Sequence, residues 1–355
     1  MIEVIPKYQK LEGVLENEIR HLPQGGKIPT VRELKAKFGV SQSTLDHALQ
    51  KLESKKLIVR RRSSGIYVSG NIRQRKHSIG VILQDLTDRY NALLLKGMEG
   101  ELSGNDYKII LSRSPEELEK EIALIDSVTD SVDGLIITPR SANSMDQDYV
   151  RFLVRLKARR KIPLLFVEIP VPCVDAGFVS FDQGKAFHEI TRRILEGGRA
   201  GELVFVGLQG SVVSVERFLG FKEALNAVAV GKGRARSVSV DVDLDIGDPT
   251  VEKPGGSLPP VVFVASPVLL HRVLAQLREK GCRLPEDVVV VSVVEEDYKD
   301  YVGEPIVAIV KPAVALGASA AKTILGMIAG KSCEPVTRMA LRVEIPDAVK
   351  ELLKL

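Results

Sequence analysis

The sequence lacks the features that mark membrane, exported and metal-bound proteins. No stretch reaches the roughly 18 consecutive apolar residues of a membrane helix, although 45% of the 355 residues are hydrophobic. Residues 1–4 show no basic segment before an apolar one, so no signal peptide is predicted. Three scattered cysteines, Cys173, Cys282 and Cys333, favour reduced thiols over disulfides or a metal site. We expect a cytoplasmic globular protein without membrane association, metal or cofactor.

Catalytic signatures are also missing. The sequence contains no GxxxxGK[ST] phosphate loop, no GxSxG nucleophile elbow, no HExxH zinc helix and no paired CxxC. His188-Glu189 begins like a zinc-protease helix, but Arg192 stands where the second histidine is needed. A cytosolic doubly wound enzyme is therefore the remote alternative, and we expect no enzymatic activity.

Charge is distributed unevenly along the chain. Residues 1–76 carry 16 Lys and Arg against 7 Asp and Glu, a net +9, whereas the remainder carries 34 against 39, a net −5. A basic head before an acidic body predicts that the head meets a polyanion and that the body has another task.

Helix signals are dense in the head. Apolar residues Leu11, Val14, Leu15 and Ile19 recur at helical spacing over residues 6–20. Residues 30–33 form a capping box before a short helix that ends at Gly39, and Ser41 can cap a third helix. Residues 57–59 and 66–68 read as a hairpin whose tip, 60–65, holds the densest positive charge. Together these elements predict an α+β winged helix-turn-helix.

These residues resemble the GntR family of bacterial regulators. The matching stretches are 27–34, 38–45, 48–53 and 65–68. The resemblance implies that the helix after Ser41 enters the major groove of double-stranded DNA. The residues predicted to bind DNA are Arg32, Ser41, Gln42, Ser43, Thr44, His47, Arg61, Arg62 and Gly65. The family often has arginine at the positions of Gln42 and Asp46, and Asp46 repels phosphate unless it accepts from a cytosine amino group.

Beyond residue 77, short apolar runs alternate with helical segments. The runs predicted as strands are 79–83, 108–111, 134–137, 163–167, 202–206, 261–264, 287–291 and 306–310. Such alternation predicts parallel α/β units, and nearly 280 residues of it favour two subdomains with a ligand cleft between them. The predicted domains are the head at 1–69, a linker at 70–77, the body at 78–345 and an amphipathic tail at 346–355. The tail packs either on the body or on a partner subunit.

The body is similar to the effector domain of LacI/GalR-type regulators, which are relatives of periplasmic sugar-binding proteins. The landmarks are 78–82, 132–137, 162–167, 179–182, 216–221, 281–288 and 316–317. A GntR-type head on a LacI/GalR-type body is similar to the arabinose-responsive AraR repressors. The resemblance implies effector contacts at Asp88, Arg89, Tyr90, Arg140, Glu168, Arg217, Ser266, Glu295 and Lys311. Two departures are Ser266-Pro267 in place of Asn-Asp and Val294 at a sugar-binding acid position.

The architecture implies a homodimeric, ligand-responsive repressor that binds a palindromic operator and is released by a small sugar. Among monosaccharides, L-arabinose is favoured by the resemblance. A non-sugar metabolite or a degenerate cleft within the same architecture is the alternative.

Overall fold

The structure, a computed structural model, describes residues 7–20, 22, 25–55, 57–61, 64–69, 76–198, 202–228, 235–240, 258–331 and 336–355. The chain divides into two compact units, residues 1–76 and 77–355, each with its own hydrophobic core. The division falls at the end of the predicted linker, of which residues 70–75 lie outside the described residues.

The first unit contains three helices and a hairpin. These are α1 (Lys7–Arg20), α2 (Val31–Phe38), α3 (Gln42–Ser54), β1 (Ile58–Arg61) and β2 (Gly65–Val68). Leu15, Leu45 and Leu49 are fully buried where α1 packs on α3, because apolar residues at helical spacing share one face. Val14, expected on that face, is 48% exposed.

The helix caps predicted for the head are present in the structure. Glu33 N–H donates to Thr30 Oγ1 at 3.3 Å and Thr30 N–H donates to Glu33 Oε2 at 2.7 Å, so the capping box is complete. Gly39 ends α2 in the left-handed region, with φ 60°, where a side chain would be strained. The turn from Gly39 to Ser41 therefore sets the angle at which α3 leaves α2.

The hairpin gains a third strand-like segment that the sequence did not predict. Ile28 N–H donates to Ile66 O at 2.9 Å and Gly25 N–H donates to Val68 O at 3.1 Å. Lys27 forms an isolated antiparallel bridge with Tyr67. The hairpin is thus anchored along one edge by the residues that precede α2.

The second unit contains two α/β subdomains. The N-terminal subdomain has a six-stranded sheet in the order β13-β7-β6-β5-β3-β4, all parallel. Its strands are β3 (Ser78–Leu83), β4 (Lys108–Arg113), β5 (Gly134–Ile137), β6 (Leu164–Val167), β7 (Gly177–Phe181) and β13 (Val336–Met339). Its helices are α4 (Arg89–Ser103), α5 (Leu118–Thr129), α6 (Ser141–Ser144), α7 (Gln147–Arg160) and α11 (Ala313–Ile328).

The C-terminal subdomain repeats this plan in the order β14-β12-β11-β10-β8-β9, with only β14 antiparallel among the described strands. Its strands are β8 (Leu203–Leu208), β9 (Ala235–Val240), β10 (Val261–Val264), β11 (Val289–Glu295), β12 (Val307–Lys311) and β14 (Arg342–Glu344). Its helices are α8 (Gln183–Gly197), α9 (Val212–Val228), α10 (Pro267–Glu279) and α12 (Asp347–Leu353). Central strands such as β10 are buried on both faces, which is why they read as continuous apolar runs.

All eight predicted strands of the body are present, and β7, β9, β13 and β14 are additional. The chain crosses between the subdomains after β7, after β12 and between β13 and β14. As a result α11 packs on the N-terminal sheet although it follows a C-terminal strand. A Cβ on Gly317 would lie 2.0 Å from Leu94 O, so α11 and α4 approach as closely as glycine permits.

The tail forms α12 and packs on the body. Val349 and Leu353 are fully buried in the C-terminal core, and a Cβ on Gly197 would lie 2.3 Å from Leu353 O. This packing occupies the apolar side of the predicted amphipathic tail. Among the described residues, no helix is long and apolar enough to cross a membrane.

Candidate functional site

The head presents the start of α3 with its polar groups outward. Thr44 N–H donates to the Ser41 hydroxyl at 3.3 Å, and the two hydroxyls are 2.7 Å apart. Ser41, Gln42, Ser43 and His47 are exposed, and Thr44 is half-buried. Hydroxyl groups and backbone N–H groups at a helix start suit phosphate oxygens.

The remaining predicted contacts of the head lie on α2 and on the hairpin. Arg32 is exposed in the first turn of α2, and Arg61 places its guanidinium 4.9 Å from the centroid of the Tyr67 ring. Gly65 has φ 116°, and a Cβ there would lie 3.1 Å from Lys27 Cε. Glycine thus allows the hairpin to turn beside Lys27. Arg62 lies outside the described residues.

The second unit has a cavity of about 340 Å³ between its subdomains. Its lining residues are Asp88, Arg89, Pro267, Val268, His271, Glu295 and Tyr301. Asp88 and Arg89 follow β3, while Glu295 ends β11. Parallel α/β sheets place ligands beyond the carboxyl ends of their strands, and this volume lies in the range of small-molecule pockets.

A buried polar cluster adjoins this cavity. Arg217 is 5% exposed and donates to Gln183 Oε1 at 2.9 Å and to Ala265 O at 2.6 Å. Burial lowers the pKa of Arg217 to about 10, although Glu168 and Tyr90 partly offset this effect. Burial also raises the pKa of the Tyr90 phenol, and the Glu168 carboxylate raises it further. These side chains therefore interact across the two subdomains.

Three buried atoms in this cluster have no hydrogen-bond partner among the described residues. They are the Tyr90 hydroxyl, Glu168 Oε1 and Gln183 Nε2. Glu168 also has a left-handed backbone, with φ 64°, which is uncommon for a residue with a side chain. Buried polar groups normally have partners, so unpaired donors and acceptors here can serve a polar ligand.

A buried ion pair stands beside the cluster. Lys311 Nζ lies 3.5 Å from Glu295 Oε1 and 3.8 Å from the centroid of the Tyr90 ring. The Tyr301 hydroxyl donates to Glu295 Oε2 at 2.5 Å, and burial together with this bond raises the pKa of Tyr301. Burial raises the pKa of Asp88, while the charge of Lys311 lowers it. The cations of the cleft are thus balanced by nearby acids.

Comparisons with known proteins match both units. The model described as bacterial regulatory proteins of the gntR family matches residues 7–68. The model of periplasmic binding proteins and the sugar-binding domain of the LacI family matches residues 76–244, and a periplasmic binding protein-like domain matches residues 198–345. The chain joins a GntR-type DNA-binding domain to a LacI-type body.

Individual relatives agree with this assignment. The arabinose metabolism transcriptional repressor of Geobacillus stearothermophilus is 21% identical over 99% of both chains. The transcriptional regulator CelR of Thermobifida fusca is 27% identical over 49% of this chain and 52% of its own. A LacI family regulator from Enterococcus faecium with bound ribose has a TM-score of 0.61 at 21% identity, covering 75% of this chain and 96% of that one. The matched families are transcription regulators and not enzymes, and the chain is a DNA-binding transcriptional regulator.

The LacI-type body uses Arg89 and Arg140 for internal contacts. Arg89 forms a bidentate pair with Asp297 across the mouth of the cleft, with Nε 2.9 Å from Oδ1 and Nη2 2.5 Å from Oδ2. The Arg140 guanidinium donates to the carbonyls of Pro115 at 3.1 Å and Ser114 at 3.2 Å. Arg140 therefore orders the loops after β4 and β5, and its contact with an effector stays a prediction.

The remaining positions divide between cleft and core. Ser266 is buried at the start of α10, where its hydroxyl makes no capping hydrogen bond. Val294, the departure at the acid position, is fully buried in the core. Sequence reasoning missed Gln183, His271, Asp297 and Tyr301. Only Gln183 carried a signal, since it directly follows the matched stretch 179–182.

Proposed function

We propose that the chain is a ligand-responsive repressor whose cleft binds a small neutral monosaccharide. The observation that carries this proposal is the buried polar cluster beside the cavity, in which Arg217 donates to Gln183 Oε1 while Gln183 Nε2 has no hydrogen-bond partner among the described residues. A polyol offers each hydroxyl as donor and acceptor, so one ligand can satisfy a phenol, a carboxylate and an amide together.

The charge balance of the cleft favours a neutral ligand over a phosphorylated one. The cations are Arg89, Arg217 and Lys311, and the acids are Asp88, Glu168, Glu295 and Asp297. The acids are at least as numerous as the cations, so a phosphate would have to displace an existing partner. L-arabinose is the favoured sugar, because an arabinose metabolism repressor matches the whole chain. A non-sugar metabolite of similar polarity is the second candidate.

The regulatory cycle follows from the two domains. We propose that the heads of a homodimer bind a palindromic operator in the cytoplasm and that sugar binding in the cleft lowers their affinity for DNA. A groove beside α4 and the edge strand β4, lined by Leu86, Leu95 and Leu111 together with Lys96 and Glu99, is a candidate surface for the second copy. We also propose the domain boundaries predicted from the sequence: the head at 1–69, the linker at 70–77, the body at 78–345 and the tail at 346–355.

Thermal unfolding of the full chain with a sugar panel tests the ligand. At a hundredfold excess over Kd, a ligand stabilises the native state by about 2.7 kcal/mol, which is about 4 to 5 °C for a body of this size. L-arabinose is expected to give this shift and to release operator DNA in a gel-shift titration. A shift with sugar phosphates alone would overturn the neutral-ligand proposal. No shift with any member of the panel would favour the degenerate cleft.

A further inference from the structure

Two polar side chains at the start of α3 are already paired with each other. Gln42 Nε2 donates to Asp46 Oδ2 at 3.1 Å, one helical turn apart. Gln42 is exposed and Asp46 is half-buried, so the pair lies on the helix surface. A carboxylate can only accept hydrogen bonds. The amide nitrogen of Gln42 must therefore face Asp46, and its oxygen must face away.

This pairing leaves Gln42 with a defined set of free groups. One amide hydrogen is bound to Asp46, so a second N–H and the carbonyl oxygen Oε1 remain available. A donor beside an acceptor is the combination that pairs with adenine in the major groove, where N7 accepts and the N6 amino group donates. Asp46 therefore fixes the orientation of the Gln42 side-chain amide before DNA binds.

The same pair disfavours guanine. Guanine presents two acceptors, N7 and O6, and is usually read by the paired donors of arginine or lysine. Residues 41–47 contain no Lys or Arg, and Lys51 is the first cation along α3. The negatively charged Asp46 carboxylate would also lie near N7 and O6 of guanine, and these acceptor atoms would repel it. Selectivity at this position would then include rejection of the wrong base as well as attraction of the right one.

We propose that Asp46 is a positioning residue that holds Gln42 to read an adenine in each operator half-site. This inference rests on the proposed docking of α3 in the major groove. Two bonds to one base edge and a misfit with guanine predict a preference of about tenfold or more for adenine over guanine at one base pair.

Selection from a duplex library with a randomised half-site tests the proposal with the full chain. The wild type is expected to enrich adenine at one position, and Asp46→Ala is expected to reduce that enrichment about tenfold. Asp46→Asn offers Gln42 a donor as well as an acceptor, so the Gln42 amide can take either orientation and the preference should fall, by less than in Asp46→Ala. Glu18→Gln removes an acid on α1 that pairs with Lys37 at 2.7 Å and serves as the control for net charge.

The outcomes separate this inference from the proposed function. Guanine at the contacted position in the wild type would overturn it, as would an unchanged adenine preference in Asp46→Ala. Selection of an operator without any adenine position would overturn the inference and leave the docking of α3 intact. If the wild type selects no sequence and its DNA affinity depends only on salt concentration, both the inference and the proposed function would be overturned.

Discussion

The two units organise their polar residues in opposite ways. In the head, the contacts at the start of α3 join residues three or four apart, as in Ser41 with Thr44 and Gln42 with Asp46. In the cleft, partners come from distant parts of the chain, as in Arg89 with Asp297, 208 positions apart. A surface that reads DNA can be assembled within one helix, whereas a pocket that encloses a ligand needs several strands to converge.

The difference extends to charge. Residues 1–76, which comprise the head and most of the linker, carry +9, and the head exposes Arg32 and Arg61, which suits a polyanion. In the body, which carries −5, Lys311 and Arg89 are matched by Glu295 and Asp297. Buried charges are costly unless paired, so a cleft that satisfies its own ions suits a neutral ligand. The two sites should therefore respond separately to substitution.

The largest effect is expected from Arg217→Met in the cleft. It removes the buried cation next to Glu168, and an uncompensated buried charge costs about 3–5 kcal/mol. We expect the affinity for L-arabinose, measured by calorimetry, to fall at least about 100-fold, with operator binding retained but no longer released. Lys222→Met, at an exposed position on the same helix, is the control. An Arg217→Met variant with wild-type sugar affinity would show that the guanidinium only supports the fold.

A smaller effect is expected from Arg32→Ala in the head. Loss of one phosphate contact should weaken operator binding about tenfold and reduce the slope of log K against log salt by about 0.9. The thermal shift given by L-arabinose should not change, because the cleft is untouched. Lys37→Ala is the control, since the Lys37 ammonium pairs with Glu18. An unchanged salt slope in Arg32→Ala would contradict this contact.

The smallest effect is expected from Asp88→Asn and depends on pH. Burial raises the pKa of Asp88, so the folded chain holds this proton at pH values where the unfolded chain has lost it. The group therefore destabilises the native state at neutral pH, and this penalty vanishes below the ordinary pKa of 3.8. An asparagine at this position would still cap α4. Because the Asp88 side chain reaches into the cleft but remains in contact with solvent, which screens its charge, Asp88→Asn should stabilise the ligand-free chain at pH 7 by less than about 1 kcal/mol.

The neighbouring Asp85 provides a control of opposite sign. A hydrogen bond from Thr87 N–H lowers the pKa of Asp85, so its ionised form stabilises the native state at neutral pH. Asp85→Asn should lower the thermal midpoint at pH 7. The difference for Asp88→Asn should shrink as the pH falls toward 3.8, whereas the difference for Asp85→Asn should shrink only as the pH falls below 3.8. A difference for Asp88→Asn that stays constant with pH would assign its effect to packing rather than to titration.

Much of the head could be predicted because its signals are local. The capping box of Thr30 and Glu33 and the stop at Gly39 depend on residues a few positions apart. The third strand-like segment at Lys27 was missed, because its partner Tyr67 lies 40 positions later. The edge strands β13 and β14 were missed as well, since edge strands lack the continuous apolar runs of central ones.

Local signals in the chain were enough to assign the class of each unit, because helix caps, apolar periodicity and charge act over short distances. The family landmarks led to Arg217 and Glu295, and both side chains are buried in the second unit. How the cleft is used became visible only in the folded protein: Arg140 serves loop carbonyls, Arg89 pairs with Asp297, and Gln183 joins Arg217. These roles depend on which strand ends converge after the chain has crossed between the subdomains, and a linear sequence carries no direct record of that convergence.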